Sequence, residues 1–291
     1  MCDEKTFADQ DEHLRAAGGI TRREFGAISL GTSLAVLFPT TAGAVEVTGS
    51  DVEVTTPDGK ADAYFVHPAE GAHPGVLIWP DAFGLRPAMQ QMASRLATSG
   101  YSVLVVNPYY RVARAPVLPE GADFNDPATR QKIMSLMGKF TPQTQTADAR
   151  AFVDYLDSQP EVARDHKMGT TGYCMGGSFT MRTAAARADR IGAAASFHGG
   201  RLVTDSADSP HLLVPQMKAH YLFAIAANDD QAEPRVKDVL RETFAKAGLP
   251  AEIEVYEGTL HGWCPPDSRV YNEAQAERAW SRLLALFGEA L

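Results

Sequence analysis

Residues 171–179, TGYCMGGSF, place one cysteine among glycines, after an apolar run and before a helical run. The interior of a buried strand would not use this pattern, because glycine has no side chain to pack. Gly172 and Gly176 instead let neighbouring backbone pass without a Cβ clash, and Gly177 lets the next helix approach a sheet. The pattern predicts a tight strand-to-helix turn at Cys174, with its sulfur exposed at a helix N-terminus that favours a thiolate. The alternative is a buried structural cysteine.

The rest of the chain alternates between short apolar runs and segments with helical periodicity. Strands are predicted at GVLIWP (75–80), YSVLVVNP (101–108), KMGTTGYC (167–174), IGAAASF (191–197), HYLFAIAAND (220–229) and AEIEVYEG (251–258). Helices are predicted over 87–100, 143–158, 175–188, 234–246 and 271–286. This alternation favours an α/β protein with a mostly parallel central sheet and helices on both faces. Because no internal repeat is found, residues 45–291 are predicted to be a single domain.

Two further segments have distinct signals. Residues 52–68, VEVTTPDGKADAYFVHP, contain two runs around a Pro-Asp-Gly turn and predict a β-hairpin. Residues 108–142 contain five prolines and little periodicity, except for a short predicted helix over 128–137. A connection of this length inside a compact domain is usually functional.

Residues 1–44 have the features of a targeting segment. Arg22 and Arg23 are followed by Phe25 and by an apolar stretch too short to span a bilayer comfortably, and a small-residue pattern ends at Ala44. This resembles a twin-arginine export signal that is cut after Ala44. We therefore expect export machinery as a partner, a periplasmic or secreted protein, and no stable membrane anchor. An uncleaved anchor or a disordered tail is the alternative.

The composition limits the classes of molecule that this protein is expected to bind. The 291 residues have a net charge of −9, which argues against nucleic acid as a partner. Three cysteines do not indicate a disulfide scaffold. Neither a phosphate loop nor a dinucleotide fingerprint is present, so no cofactor is expected. We expect a monomer that acts on a small molecule.

An acid and a base follow the cysteine in the chain. Asp229 ends one predicted strand, in AIAANDD, and His261 follows the last predicted strand, in GTLHGWC. The order Cys174, Asp229, His261 is the order in which a nucleophile elbow is followed by its acid and its base. Imidazole would accept the thiol proton, and the carboxylate would fix its tautomer. Asp230 is a rival for the acid, and Asp229 could instead be a helix N-cap.

Two more residues have open interpretations. His198 ends a predicted strand and is a candidate pocket residue. Cys264 lies three residues after His261, and it is either a small buried side chain or a redox partner of Cys174. A metal site formed by these two cysteines and His261 is an alternative, although no second ligand pair supports it.

Together these segments resemble the dienelactone hydrolase family of the α/β-hydrolase fold. The segments that carry the resemblance are GYCMGG (172–177), AND (227–229), HGW (261–263), PDAFGL (80–85) and GYSVLVVNPYYR (100–111). The resemblance covers roughly residues 50–290. It implies hydrolysis of a carboxylic ester or lactone through an acyl-thioester intermediate. Alternatives are a thioesterase or broad carboxylesterase with the same triad, or a non-catalytic exported scaffold.

The resemblance also implies roles for individual residues. It implies a triad of Cys174, His261 and Asp229, and an oxyanion hole formed by the backbone amides of Met175 and Ala82. The proposed apolar wall around the substrate consists of Phe83, Tyr173, Trp263, Tyr109 and Tyr110. Ordinary core packing is the alternative for these aromatic residues.

The sequence departs from the family pattern at two places. Asp81 occupies the position where the family typically has a glutamate that interacts with the nucleophile, so it is predicted to be catalytic, or else a loop carboxylate. The family binds a substrate carboxylate with arginines, one of them four residues after the histidine, where this chain has Pro265. The nearest arginine downstream is Arg269. The candidates to replace the missing arginine lie in the long connection, and each is otherwise a solvated charge: Arg111, Arg114 and Arg130.

Overall fold

A computed structural model describes residues 45–291, and the predicted export signal, residues 1–44, lies outside the described residues. Within the described part, eight strands form one sheet in the order β1-β2-β4-β3-β5-β6-β7-β8. The strands are β1 Val47–Thr56, β2 Gly59–Pro68, β3 Gly75–Trp79, β4 Ser102–Val106, β5 Met168–Tyr173, β6 Ile191–Phe197, β7 His220–Ala226 and β8 Ala251–Tyr256. Strands β3 to β8 are parallel to one another, whereas β1 and β2 are antiparallel.

Helices cover both faces of this sheet. They are α1 Pro87–Ala97, α2 Pro127–Met137, α3 Pro142–Ser158, α4 Met175–Ala186, α5 Ala227–Ala232, α6 Val236–Ala247 and α7 Glu273–Ala290, with a 3₁₀ helix at Pro210–Gln216. Side chains of α3, α4 and α6 pack on one face, and those of α1 and α7 pack on the other. The predicted α/β class with an α/β-hydrolase architecture is confirmed.

Alternation along the central strands explains the two layers. Leu77 of β3 packs towards α3 and α4, whereas Val76 and Ile78 pack towards α1 and α7. Every residue of β3 is therefore buried, which is why this strand is a continuous apolar run. The carboxyl ends of β3 and β5 to β8 meet at one edge of the sheet, where ligands bind in open α/β folds.

The predicted hairpin is confirmed as β1 and β2, because Thr56 pairs with Gly59 across a two-residue turn. The helices α5 and Pro210–Gln216 were not predicted, since segments of six and seven residues are too short to show helical periodicity. No helix within residues 45–291 is long and apolar enough to cross a membrane.

Candidate active site

Cys174 lies in the tight turn between β5 and α4, with φ of 54° and ψ of −116°. A Cβ atom on Gly172 would lie 2.1 Å from the carbonyl oxygen of Gly176, and one on Gly176 would lie 2.4 Å from that of Trp79. Only glycine fits at these two positions, so the predicted turn is confirmed. The expectation of an exposed sulfur was wrong: Cys174 is 5% exposed, because apolar side chains of the long connection pack against it.

The predicted base, His261, and the predicted acid, Asp229, are hydrogen-bonded to each other. Nδ1 of His261 lies 2.8 Å from Oδ2 and 3.0 Å from Oδ1 of Asp229. The backbone N–H of His261 donates to Oδ1 of Asn228 at 2.8 Å, so the residue before the acid holds the loop that carries the base. Asp230 instead accepts from Nζ of Lys237 at 2.6 Å. The structure therefore pairs His261 with Asp229 and not with its rival.

The environment of His261 favours its cationic form. Burial alone would lower its pKa, but the carboxylate of Asp229 and the sulfur of Cys174 act against burial and raise the pKa from 6.5 to about 10. Since Nδ1 is engaged by Asp229, the other ring nitrogen, Nε2, is the one available for the sulfur and for substrate. An imidazolium beside a sulfur in turn stabilises a thiolate.

His198, which the sequence indicated as a candidate pocket residue, contacts Cys174. It lies at the end of β6 with φ of 40° and is fully buried. Its Nδ1 accepts the backbone N–H of Cys174 at 3.1 Å, an N–H that Phe197 O also approaches at 3.1 Å. Its ring centroid is 5.0 Å from that of His261. Burial and this second imidazole lower the pKa of His198 well below its ordinary value, so the ring is neutral.

The two amides predicted for the oxyanion hole belong to residues of one cluster. Ala82 and Met175 pack in the same apolar cluster as Cys174. Met175 is the first residue of α4, so its amide has no acceptor within the helix. Tyr109 connects the two sides, because its hydroxyl donates to the carbonyl of Ala82 at 2.9 Å and lies 3.3 Å from the sulfur of Met175. Tyr109 is thus placed to hold the Ala82–Phe83 peptide, next to the peptide that carries the Ala82 amide, rather than to line an open wall.

Asp81 has an ionic partner that the sequence did not indicate. Its two oxygens accept from Nη1 and Nη2 of Arg86 at 2.7 and 2.9 Å, and Oδ1 accepts the amide of Phe83 at 2.9 Å. The same guanidinium binds Asp267 at 2.6 Å, which joins this loop to the loop that carries His261. No sequence signal could have shown the ion pair between Arg86 and Asp267, because these residues are 181 positions apart. The catalytic role of Asp81 stays a prediction.

The predicted aromatic wall is divided between the two faces. Phe83 and Tyr109 pack in the cluster that contains Cys174. Tyr173 and Trp263 pack instead with α1 and α7, where they stack on Phe197 and Tyr256 at 5.1 and 4.8 Å. Tyr173 and Trp263 therefore fit the alternative of ordinary core packing. Tyr173 directly precedes Cys174, so strand alternation turns it to the opposite face.

Two of the candidate arginines, Arg111 and Arg114, are engaged by carboxylates. Arg111 binds Asp148 on α3 at 2.7 Å and Asp58 in the β1–β2 turn at 2.6 Å. Tyr110 donates to the same Asp148 and lies under the Arg111 guanidinium. Arg114 binds Glu53 at 2.7 Å. These ion pairs lie at the β1–β2 end of the sheet, so the structure does not bring Arg111 or Tyr110 into the cluster around Cys174.

Arg201, which the sequence did not indicate, lies next to the turn of Cys174. It has φ of 58° and is exposed, and it directly follows Gly200, whose amide donates to the carbonyl of Cys174 at 3.1 Å. Cys174, His198 and Arg201 are the three non-glycine residues with positive φ within residues 45–291. Such strain concentrates at functional sites, but single residues with positive φ leave no pattern in a sequence.

Cys174 and Cys264 are both free thiols. Cys264 packs with α1 and α7, whereas Cys174 packs with the long connection, and burial raises the pKa of Cys264 well above its ordinary value. Cys264 therefore resembles the small buried side chain more than the redox partner. In the described chain we find no group of three or more His, Cys, Asp or Glu that could hold a metal ion.

Comparison with known proteins agrees with this geometry. Residues 61–291 match the dienelactone hydrolase family. The chain is 28% identical over 249 residues to protein usf of Aquifex pyrophilus, across 84% of this chain and 99% of that protein. It is 25% identical over 217 residues to a carboxymethylenebutenolidase of Pseudomonas putida, across 75% and 86% of the two chains.

Among solved structures, a dienelactone hydrolase-like promiscuous phosphotriesterase from metagenomic libraries has the same fold. Its TM-score is 0.69 at 22% identity, over 84% of this chain and 98% of that chain. The solved structure supports the α/β-hydrolase fold, and the family match covers most of the chain. The chain therefore belongs to the dienelactone hydrolase family and is a hydrolase.

Proposed function

We propose that this protein hydrolyses a carboxylic ester or lactone with Cys174 as nucleophile, His261 as acid and base, and Asp229 as the residue that orients the imidazole. The observation that carries the proposal is the 2.8 Å contact between His261 and Asp229, in an imidazole whose pKa is also raised by the sulfur of Cys174. These interactions connect Cys174, in a strained turn, with two residues that follow later strands, which is the arrangement that activates a nucleophile.

In the acylation step, the thiolate of Cys174 attacks the carbonyl carbon, a C–S bond forms, and the π electrons move to oxygen. The amides of Ala82 and Met175 stabilise this oxyanion. Collapse of the tetrahedral intermediate breaks the C–O bond, and the leaving alkoxide takes the proton from Nε2 of His261. The products are an alcohol and an acyl-thioester on Cys174.

Water then completes the cycle. Nε2 of neutral His261 takes a proton from water, and the resulting hydroxide attacks the thioester carbonyl. Collapse of the second tetrahedral intermediate expels the thiolate of Cys174 and releases the carboxylic acid. One ester and one water become one acid and one alcohol, and the thiolate–imidazolium pair is restored.

The first test uses p-nitrophenyl acetate and a cyclic enol lactone as substrates. The purified protein should hydrolyse at least one of them, and Cys174→Ala should abolish turnover. Cys264→Ala is the matched control, since it removes the other described thiol, and it should retain activity. Turnover that survives in Cys174→Ala would overturn the assignment. A substrate panel that includes acyl thioesters separates this activity from the thioesterase alternative.

A further inference from the structure

Residues 116–139, here called the lid, cover the candidate active site. The chain is anchored on both sides of this segment. The amide of Ala115 donates to Oδ2 of Asp62 at 2.7 Å, and Phe140 stacks on Tyr109 with ring centroids 5.3 Å apart. Between these anchors, each backbone–backbone hydrogen bond that we find in residues 45–291 joins one lid residue to another lid residue. The helix of the lid, α2, has no extensive contact with any strand or other helix of the described chain.

The underside of the lid is apolar and faces the nucleophile. One cluster contains both the catalytic turn, Cys174 with Met175, and buried lid residues, which are Val117, Leu118, Phe124, Ile133 and Leu136. The other side of α2 is exposed, as Met134 shows at 50% exposure. A substrate that reaches the sulfur must displace part of this apolar contact or take its place. Replacement of apolar contact by an apolar group is favourable, whereas replacement by a charged group is costly.

An ion pair holds the lid to the loop that carries His261. Asp123 in the lid binds Arg269 in that loop, and their side chains are 37% and 50% exposed. A pair this exposed is weak and is screened by salt, so it can break without a large cost. Arg269 therefore forms an ion pair with the lid and is not a free cation that could bind substrate.

We propose that residues 116–139 form a lid that opens at the Asp123–Arg269 pair, and that its apolar underside binds the hydrophobic acyl group of an uncharged ester. The proposal rests on the proposed ester-hydrolase function. Its carrying observation is that Ile133 and its buried lid neighbours share one apolar cluster with Cys174 and Met175. The substrate class is therefore a neutral ester with a medium or long acyl chain.

The test of the underside compares adjacent residues of α2. Ile133→Ser changes a side chain with 0% exposure, and Met134→Ser changes one with 50% exposure on the same helix. Wild type should prefer p-nitrophenyl octanoate over p-nitrophenyl acetate in kcat/KM. We expect Ile133→Ser to lower the octanoate-to-acetate ratio by about tenfold, since one buried side chain is removed from the acyl site. Met134→Ser should leave the ratio within about twofold, as expected for a solvent-facing position.

The test of the Asp123–Arg269 ion pair measures how fast a reagent reaches Cys174. A bulky maleimide, followed by mass mapping of the modified peptide, should label Cys174 several-fold faster in Arg269→Gln than in wild type. Arg114→Gln removes an exposed ion pair with Glu53 outside the lid and should leave the labelling rate unchanged. Added salt should raise the labelling rate of the wild-type protein towards that of Arg269→Gln. Equal labelling rates in all three proteins would overturn the opening at this pair.

The outcomes separate the two proposals. If the wild-type protein hydrolyses none of p-nitrophenyl acetate, p-nitrophenyl octanoate and the cyclic enol lactone, the proposed function fails. If acetate is hydrolysed but Ile133→Ser and Met134→Ser share one ratio, the lid proposal is overturned. A preference for a carboxylate-bearing ester over a neutral ester of equal length would overturn the substrate class and indicate Arg201. If circular dichroism shows that Ile133→Ser is unfolded, Ile133→Ala replaces it, and its ratio must fall in the same direction.

Discussion

Nδ1 of His198 accepts the backbone N–H of Cys174 at 3.1 Å, which joins two residues of positive φ at the ends of neighbouring strands. Because His198 is neutral and buried, its lone pair stays available for this contact. The contact helps to hold the strained conformation that presents the sulfur. We therefore propose His198 as a positioning residue for Cys174, the proposed nucleophile.

The first prediction concerns this acceptor. His198→Asn keeps an acceptor oxygen at the δ position and tolerates positive φ, whereas His198→Leu has no acceptor. We expect the Leu variant to lose about fivefold in kcat, the equivalent of one hydrogen bond of about 1 kcal/mol, and the Asn variant to stay near wild type. The measurement is kcat for p-nitrophenyl acetate. Equal losses in both variants would show that the ring contributes only by packing.

The second prediction concerns the hydroxyl of Tyr109, which donates to the carbonyl of Ala82. Tyr109→Phe removes the donor that holds the Ala82–Phe83 peptide. The backbone of Ala82, whose N–H lies in the preceding peptide, is then held less firmly, so the proposed oxyanion loses a well-fixed partner. We expect kcat to fall about fivefold with little change in KM. Tyr110→Phe is the control, since the Tyr110 hydroxyl bonds to Thr56 and Asp148 instead. A larger KM effect than kcat effect in Tyr109→Phe would instead indicate direct binding of substrate.

The third prediction concerns pH. Since the pKa of His261 is raised from 6.5 to about 10, the imidazolium persists through neutral pH and is lost as pH rises through about 10. Hydrolysis of an ethyl ester, whose leaving group needs a proton, should fall in kcat/KM above about pH 10, after subtraction of the uncatalysed rate. Nitrophenolate leaves without protonation, so the corresponding nitrophenyl ester should show a weaker decline.

Asp229→Asn removes the carboxylate that raises the pKa of His261. The alkaline limb for the ethyl ester should therefore move to lower pH by about one to three pH units. An alkaline limb that stays in place in Asp229→Asn would show that another group titrates.

The fourth prediction concerns the pair of Asp81 and Arg86, whose side chains are 10% and 14% exposed. Asp81→Asn and Arg86→Gln should each lower the free energy of unfolding by about 3 kcal/mol, and the double variant should lose less than the sum. Urea unfolding measures these values. If Asp81 acts on the nucleophile, Asp81→Asn alone should also change the rate at which iodoacetamide alkylates Cys174. Equal alkylation rates in both single variants would assign Asp81 to the loop.

The fifth prediction concerns export. The full chain, expressed in a bacterium with a twin-arginine system, should reach the periplasm without residues 1–44 and with Cys174 and Cys264 as free thiols. Replacement of Arg22 and Arg23 by Lys should retain it in the cytoplasm, whereas Arg15→Lys, elsewhere in the same segment, should not. Fractionation with mass measurement of the mature N-terminus gives the answer. Periplasmic accumulation of the double variant would contradict a twin-arginine route.

Much of the fold and the core of the site could be predicted from the sequence. Continuous apolar runs such as GVLIW are typical of buried parallel strands, and the glycines around Cys174 indicate a turn that only glycine permits. Parallel strands end at one edge of a sheet, so Asp229 and His261 could be expected near the cysteine despite their distance in the chain. These inferences depend on local sequence and on one topological rule.

Other features depend on contacts that local sequence does not encode. The ion pairs of Arg86 and Arg269 join residues far apart in the chain, and each arginine alone resembles a solvated charge. Apart from the short helix predicted over 128–137, the lid lacks a periodic pattern, so the packing of its residues in one cluster with Cys174 could not be predicted. Tyr173 is different, because strict alternation from the neighbouring nucleophile already indicates that it faces the other side of the sheet.

The most direct test of the account is the mass of the protein during turnover. Wild type is mixed with p-nitrophenyl butyrate, quenched in acid within the first turnover, and digested for mass spectrometry. We predict one butyryl group on the peptide that contains Cys174, formed at the rate of the nitrophenolate burst and absent from Cys174→Ala. Nitrophenolate release without any acyl group on Cys174, or with the acyl group on another residue at the same rate, would contradict the account.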